Sequence, residues 1–90
     1  MKQILEEIDV RVPRGSSVST DIGEMLIKSY GNYNVSFYPA AVKRADYVIV
    51  LDEKNMFLVQ SDQDLEEIWE KYYSQDSIKV VLFKRVRDTK

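Results

Sequence analysis

Two short, almost uninterrupted apolar runs constrain the fold of this 90-residue chain more than any other feature. Residues Tyr47–Leu51 and Ile78–Phe83 are rich in β-branched side chains, and Lys79 is the one charged residue within them. Runs of this length and composition are typical of strands that are covered on both faces. The sequence therefore predicts a sheet in which these two segments are strands, with Ile78–Phe83 in a central position.

Three further strands are predicted from alternating or short apolar segments, and they centre on residues 8–12, 35–37 and 56–59. The polar tetrad Asp52–Asn55 contains turn-favouring residues, so it is expected to join Tyr47–Leu51 to Met56–Val59 as a hairpin. Val18–Thr20 lacks the apolar pattern of a strand and is not expected to form one.

Two helices are predicted from capping residues that precede apolar residues at helical spacing. The first begins near Asp21, which has Glu24 three positions later, and ends near Gly31. The second begins at Ser61, and its apolar stripe consists of Leu65, Ile68, Trp69 and Tyr72. We therefore expect one domain over residues 1–90, of the α+β class, with a single mixed sheet of four to five strands and two helices on one face.

The residue types that the chain lacks limit the reactions it could catalyse and the metals it could bind. The chain has no Cys and no His, so it lacks thiol nucleophiles, zinc-thiolate ligands and the commonest general base. Its acidic residues do not have the spacing of a calcium-binding EF-hand loop. No apolar run approaches the roughly 18 residues of a membrane-spanning helix. We expect a protein without catalytic residues, metal, cofactor or membrane insertion.

The charge is distributed unevenly along the chain, although the net charge is only −2. Residues 52–76 contain eight acids and two lysines, whereas residues 77–90 contain five bases and one acid. Such polarity bears on association with charged partners rather than on the fold. The sequence therefore points to an acidic surface and a separate basic one.

The segment Tyr47–Phe83 resembles the second half of a PB1 domain, a protein-interaction module with a ubiquitin-like β-grasp fold. The resemblance rests on a strand, the acidic turn Asp52-Glu53, a second strand, and the sequence Ser61-Asp62-Gln63-Asp64-Leu65 leading into a helix. It implies a ubiquitin-like β-grasp in which acidic side chains bind basic residues of a partner. The implied partner-binding residues are Asp52, Glu53, Asp62, Asp64 and Glu66.

The predicted hairpin also brings Asp52 and Glu53 back towards Asp62 and Asp64, so these four carboxylates are expected to converge. The expected function is a non-enzymatic protein–protein interaction module that presents an acidic face to a basic partner surface. A candidate basic face consists of Arg11, Lys84, Arg85 and Arg87. Self-association is compatible with this hypothesis, and binding of nucleic acid is not expected.

Alternatives remain for both fold and function. One clear strand before the first helix also suits a ferredoxin-like α/β plait. Such a plait could associate with nucleic acid or ribonucleoprotein through its basic C-terminal tail. The chain could instead be a small structural subunit that associates by strand pairing. The absence of a targeting signal and of Cys favours an intracellular, cytoplasmic protein.

Overall fold

The computed structural model describes residues 2–23, 33–74 and 78–86. Within them, the elements are α1 (Lys2–Arg11), β1 (Ser17–Thr20), β2 (Asn34–Phe37), β3 (Tyr47–Val50), α2 (Glu53–Gln60), β4 (Leu65–Ser74) and β5 (Ile78–Arg85). The expected class is confirmed, since the chain is α+β with one mixed sheet of five strands and two described helices. Most of the helix expected between Asp21 and Gly31 lies outside the described residues.

The sheet has the strand order β2-β1-β3-β5-β4. Strand β1 pairs in parallel with both β2 and β3, whereas β5 pairs antiparallel with both β3 and β4. The predicted central position of β5 is confirmed. An opening hairpin, expected for a β-grasp, does not occur among the described strands, because β1 and β2 run in the same direction.

Each face of the sheet carries its own apolar core. On the face that we call the α1 face, the helix α1 packs on Tyr47 and Ile49 of β3, and on Val80 and Leu82 of β5. On the opposite α2 face, the helix α2 packs on the alternate residues of the same two strands; the buried members are Ala45, Val48, Val50, Met56, Val59, Val81 and Phe83. The sequence predicts two helices on one face, near residues 21–31 and from Ser61. The two described helices, α1 and α2, are other segments, and they lie on opposite faces of the sheet.

The segment expected as a first strand forms the helix α1. Its buried residues are Ile4, Leu5, Ile8 and Val12, which recur at helical spacing, while Val10 is 82% exposed. Helix α1 ends before Pro13, and Gly15 takes a positive φ of 85° in the following turn. Ile8 and Val12 therefore fit the predicted strand pattern only because residues four positions apart also share a face of a helix, and Val10 does not fit it.

Two other elements also differ from expectation. Met56–Val59 belongs to the helix α2 rather than to a strand, because Met56 and Val59 are buried one helical turn apart. The segment expected as a helix from Ser61 forms the edge strand β4, which has irregularities between Glu67 and Trp69 and between Tyr72 and Ser74. Trp69 packs against the core of the α1 face, with the Arg11 guanidinium carbon 5.2 Å from its ring centroid.

Strand β1 was not expected, yet it lies between β2 and β3. Its polar residues Ser19 and Thr20 are fully buried and hydrogen-bonded. The Thr20 hydroxyl accepts from the backbone N–H of Ile22 at 3.0 Å, and the Ser19 hydroxyl donates to the Ala40 carbonyl at 3.1 Å. These two bonds give each hydroxyl group a partner, so a weakly apolar segment can occupy an interior position in the sheet.

Candidate functional site

Helix α2 places an acidic pair at each of its ends. At the first end, the Asp52 carboxylate accepts from the Lys54 backbone N–H at 2.8 Å and caps the helix, and Glu53 occupies the first turn. At the second end, the Asp62 carboxylate accepts from the Asp64 backbone N–H at 2.8 Å. Asp52 and Asp62 therefore have structural roles as caps of backbone groups. Within the described residues, the exposed carboxylates of Glu53 and Asp64 accept no such backbone hydrogen bond.

The two acidic pairs do not converge. The helix that lies between them has eight residues, which corresponds to a length of about 12 Å along its axis. This length exceeds the screening length of about 8 Å at physiological ionic strength. The expected convergence of all four carboxylates is therefore wrong, and the two pairs instead flank the helix.

The middle of α2 exposes two large apolar side chains. Phe57 is 74% exposed and Leu58 is 58% exposed, and together with Glu53 and Lys54 they line a shallow depression. Sequence analysis missed them because the apolar run Met56–Val59 was interpreted as a strand. A helical projection that starts at the Asp52 cap would have revealed them, since it buries Met56 and Val59 and leaves the two residues between them outside.

We call the outer side of this helix and its two ends the α2 surface. It consists of Asp52, Glu53, Phe57, Leu58, Asp62 and Asp64. An apolar centre with charged groups at its margins is the usual organisation of a protein–protein interface.

Glu66 lies apart from this surface. It is in register with Lys84 on the neighbouring strand β5, on the α1 face. Directly opposite side chains of unlike charge on adjacent strands attract each other. The structure thus separates Glu66 from the four acids with which the sequence grouped it.

The candidate basic residues do not form one face. Lys84 is exposed on the α1 face, as is Arg11, whose guanidinium donates to the Glu7 carbonyl at 2.9 Å and lies over Trp69. Arg85 points to the α2 face, where its guanidinium donates to the carbonyls of Val42 and Ala45, both at 2.7 Å. Arg87 lies outside the described residues. Arg85 therefore holds the loop that follows β2 and is engaged within the fold.

Asp21 anchors the first end of α2 from a distant part of the chain. Its carboxylate accepts from the backbone N–H groups of Leu51 and Asp52, at 2.8 and 3.0 Å, and from the Asn55 amide at 2.8 Å. The sequence predicts that a helix begins near Asp21, and most of that segment lies outside the described residues. Asp21 also ties the end of β1 to the start of α2, so the α2 surface depends on contacts made through β1.

Negative charges act on several groups around α2, although the helix itself contains Lys54. Burial raises the pKa of the Tyr38 hydroxyl, and the charges of Asp21 and Asp62 raise it further. On β4, burial raises the pKa of Glu67, and so does the hydrogen bond that its protonated carboxyl donates to Glu70; the Lys79 ammonium lowers the pKa of Glu70. Carboxylates around α2 favour a cationic partner.

The described part of the chain contains no group of three or more acidic side chains arranged to hold a metal ion. None of its helices is long and apolar enough to cross a membrane.

Comparison of the chain with protein-family models, with curated proteins and with solved structures gave no match in any of the three.

Proposed function

We propose that this protein is a non-enzymatic interaction module that binds a basic protein segment on the α2 surface. The observation that carries the proposal is the exposure of Phe57 and Leu58 between two acidic pairs. Large apolar side chains that lie side by side on a surface are characteristic of binding sites. Their burial would supply affinity, and the flanking carboxylates would select a partner with Lys or Arg on either side of its own apolar residues.

The proposal retains the partner chemistry implied by the PB1 resemblance but changes the arrangement of the acids. Residues 53–60 form a helix and residues 65–74 a strand, so the resemblance rests on the order of residue types alone. An intracellular, cytoplasmic location and the lack of catalysis remain parts of the same proposal.

The charge of the α2 surface disfavours its pairing with a second copy of itself. Whether two α2 helices run parallel or antiparallel, an acidic end of one lies beside an acidic end of the other. Like charges in an interface reduce affinity and reject incorrect partners. A basic partner relieves this repulsion, so we favour a heterologous partner.

Strand pairing through the β4 edge is the main competing mode, and charge opposes it as well. In an antiparallel pair of identical strands, the residue on the two-fold axis faces its own copy. The regular stretch between its two irregularities is Trp69–Tyr72, and an axis at the middle of this stretch would place Glu70 or Lys71 opposite its own copy. Charged side chains and irregular pairing are also the usual protection of an edge strand.

A random-peptide display library provides a test of the proposed function. Peptides that are enriched on the wild-type protein should combine apolar residues with Lys or Arg. For an enriched peptide, fluorescence anisotropy should show at least about tenfold weaker binding to Phe57→Ala, as expected for a central interface residue. Its matched control is Val10→Ala, which removes an exposed apolar side chain from α1 on the other face.

The role of charge is tested with the double variant Glu53→Gln/Asp64→Asn, which leaves the capping residues Asp52 and Asp62 intact. This variant should bind the peptide more slowly and with a weaker salt dependence. The control Glu6→Gln/Glu66→Gln removes two exposed acids elsewhere. Enriched peptides without basic residues, or equal losses in the control, would contradict the proposal.

A further inference from the structure

A cleft of about 520 Å³ opens between the first end of α2 and the β4–β5 pair. Its apolar lining comes from Leu51, Met56 and Ile78. Asp52 and Glu53 line it from the helix, and Tyr72 and Lys79 line it from the sheet. The volume is within the range of ligand pockets and well above that of one amino-acid side chain.

The two charged sides of the cleft are not equivalent. The Lys79 ammonium is 3.1 Å from a Glu70 carboxylate oxygen, and this contact raises the pKa of Lys79. Its charge is therefore neutralised by a residue of the same sheet. Asp52 and Glu53 are exposed, and neither belongs to an ion pair given for the described residues. The charge that remains for a ligand is negative, so the cleft favours a cation.

The other lining groups specify the shape of that cation. The apolar lining suits an aliphatic stem, and the Tyr72 ring, whose residue is 53% exposed, presents an aromatic surface beside it. The Lys79 ammonium lies 6.0 Å from the centroid of this ring, so the ring already has a cation at the limit of cation–π distance. A guanidinium group is planar, stacks on aromatic rings and forms paired hydrogen bonds with carboxylates, whereas an ammonium group is a compact and strongly hydrated charge. An arginine side chain meets these requirements together.

We propose that this cleft receives an arginine side chain of the partner, with its guanidinium at Asp52 and Glu53 and its stem on Met56 and Ile78. This inference rests on the proposed function and defines one contact within it. Glu53 lines both the cleft and the depression beside Phe57 and Leu58. A single partner segment can therefore place its arginine in the cleft and an apolar residue on α2.

The test uses three small probes of matched size: the blocked amino acids Nα-acetyl-arginine, Nα-acetyl-lysine and Nα-acetyl-citrulline, each as its methylamide. Citrulline retains the shape of arginine without its charge. Each probe is titrated into the isotopically labelled full chain at constant ionic strength, and backbone amide shifts are followed by NMR. The arginine probe should shift the amides of Met56, Tyr72, Ile78 and Lys79, with affinity in the millimolar range expected of a small ligand.

The substitutions Glu53→Gln and Tyr72→Leu should each weaken binding of the arginine probe by about threefold to tenfold. Glu66→Gln is the matched control for charge, and Val10→Ala, on the exposed side of α1, should leave this binding unchanged. Equal shifts with lysine or citrulline, shifts that map elsewhere, or no shifts at all would overturn the inference.

The two proposals can fail separately. Loss of peptide binding in Phe57→Ala, together with no response to arginine, would retain the α2 surface and remove the cleft as its arginine site. If arginine binds in the cleft but no peptide depends on Phe57 for binding, the cleft would remain an arginine site and the α2 surface would no longer be the peptide-binding site.

Discussion

The helical conformation of residues 2–11 predicts opposite effects on stability for the truncation of two nearby apolar residues, Ile8 and Val10. Ile8 is fully buried in the core of the α1 face, whereas Val10 is 82% exposed. Ile8→Ala removes three carbon atoms, which corresponds to about 2.4 kcal/mol of lost transfer free energy. The cavity left behind brings the expected loss in the free energy of unfolding to about 3–5 kcal/mol.

Val10→Ala should change that free energy by less than about 0.5 kcal/mol, and in the stabilising direction, because Ala has the higher helix propensity. A domain of this size has a total stability of about 5–13 kcal/mol, so Ile8→Ala could leave too little native protein to measure. Ile8→Val provides a milder change, with an expected loss of about 0.5–1.5 kcal/mol.

Urea denaturation followed by circular dichroism measures all three variants on one scale. Thermal melting provides a second measure, since each kcal/mol should shift the midpoint by about 4–8 °C. In a strand, Ile8, Val10 and Val12 would share one face, and truncation of Val10 would be costly. A loss for Val10→Ala that equals or exceeds the loss for Ile8→Val would therefore refute the helical assignment.

Three further predictions concern polar contacts. Asp21→Ala should lower the free energy of unfolding by about 2–4 kcal/mol, because three donors at the start of α2 lose their acceptor, and urea denaturation measures the loss. Arg85→Lys should cost about 1–3 kcal/mol in the same assay, since an ammonium cannot reproduce the two carbonyl contacts of the guanidinium; an unchanged midpoint would contradict this role. The pKa of Glu67 is raised in the folded state. Ionisation of Glu67 therefore lowers the free energy of unfolding as the pH rises above 4.5, the ordinary pKa of a glutamate side chain. Glu67→Gln should therefore be more stable than wild type at pH 7 but not at pH 4, while Glu66→Gln should show no such gain.

Two of the three interior strands, β3 and β5, were predictable from the sequence, because burial on both faces leaves a clear signal. The runs Tyr47–Leu51 and Ile78–Phe83 contain one charged residue, Lys79, and both were identified as strands, with Ile78–Phe83 in a central position. The short strand β2 was also predicted, from Val35 and Phe37 before Pro39. The α+β class followed from these elements.

The α1 segment was assigned wrongly because two periodicities coincide there. Residues four positions apart share a face in a helix and also in a strand, so Ile8 and Val12 fit both patterns. Ile4 also fits both patterns, whereas Leu5 fits only the helix and Val10 fits only the strand. The exposure of Val10 and the burial of Leu5 show which pattern prevails.

The β4 segment was assigned wrongly because an irregular edge strand can imitate a helical stripe. Leu65 and Trp69 are four positions apart, yet Leu65 packs on the α2 face and Trp69 on the α1 face, because the register shifts between Glu67 and Trp69. The aromatic residues of this segment favour a strand, but the pattern of capping residues at Ser61 obscured that preference.

The acidic residues themselves were identified from the sequence, whereas their arrangement was not. Asp52, Glu53, Asp62 and Asp64 were grouped on the assumption of a hairpin turn between them. The helix α2 instead separates the two pairs and exposes Phe57 and Leu58 between them. Burial of side chains on a short helix depends on its tertiary packing, which local sequence does not specify.

The link between Asp21 and the start of α2 also bears on the order of folding events. Strands β4 and β5 meet at Ser74 and Ile78, close in the chain, whereas β1 meets β3 through Val18 and Tyr47 across a much longer loop. Closing the longer loop costs about 1.7 kcal/mol more in chain entropy, so the β4–β5 ribbon is expected to form before β1 docks. Kinetic analysis of variants in β1 and β5 would test this order, which fails if β1 contacts form first. Because α2 is anchored only once β1 has docked, a partner that binds α2 would recognise the completed fold and stabilise it against its folding intermediates.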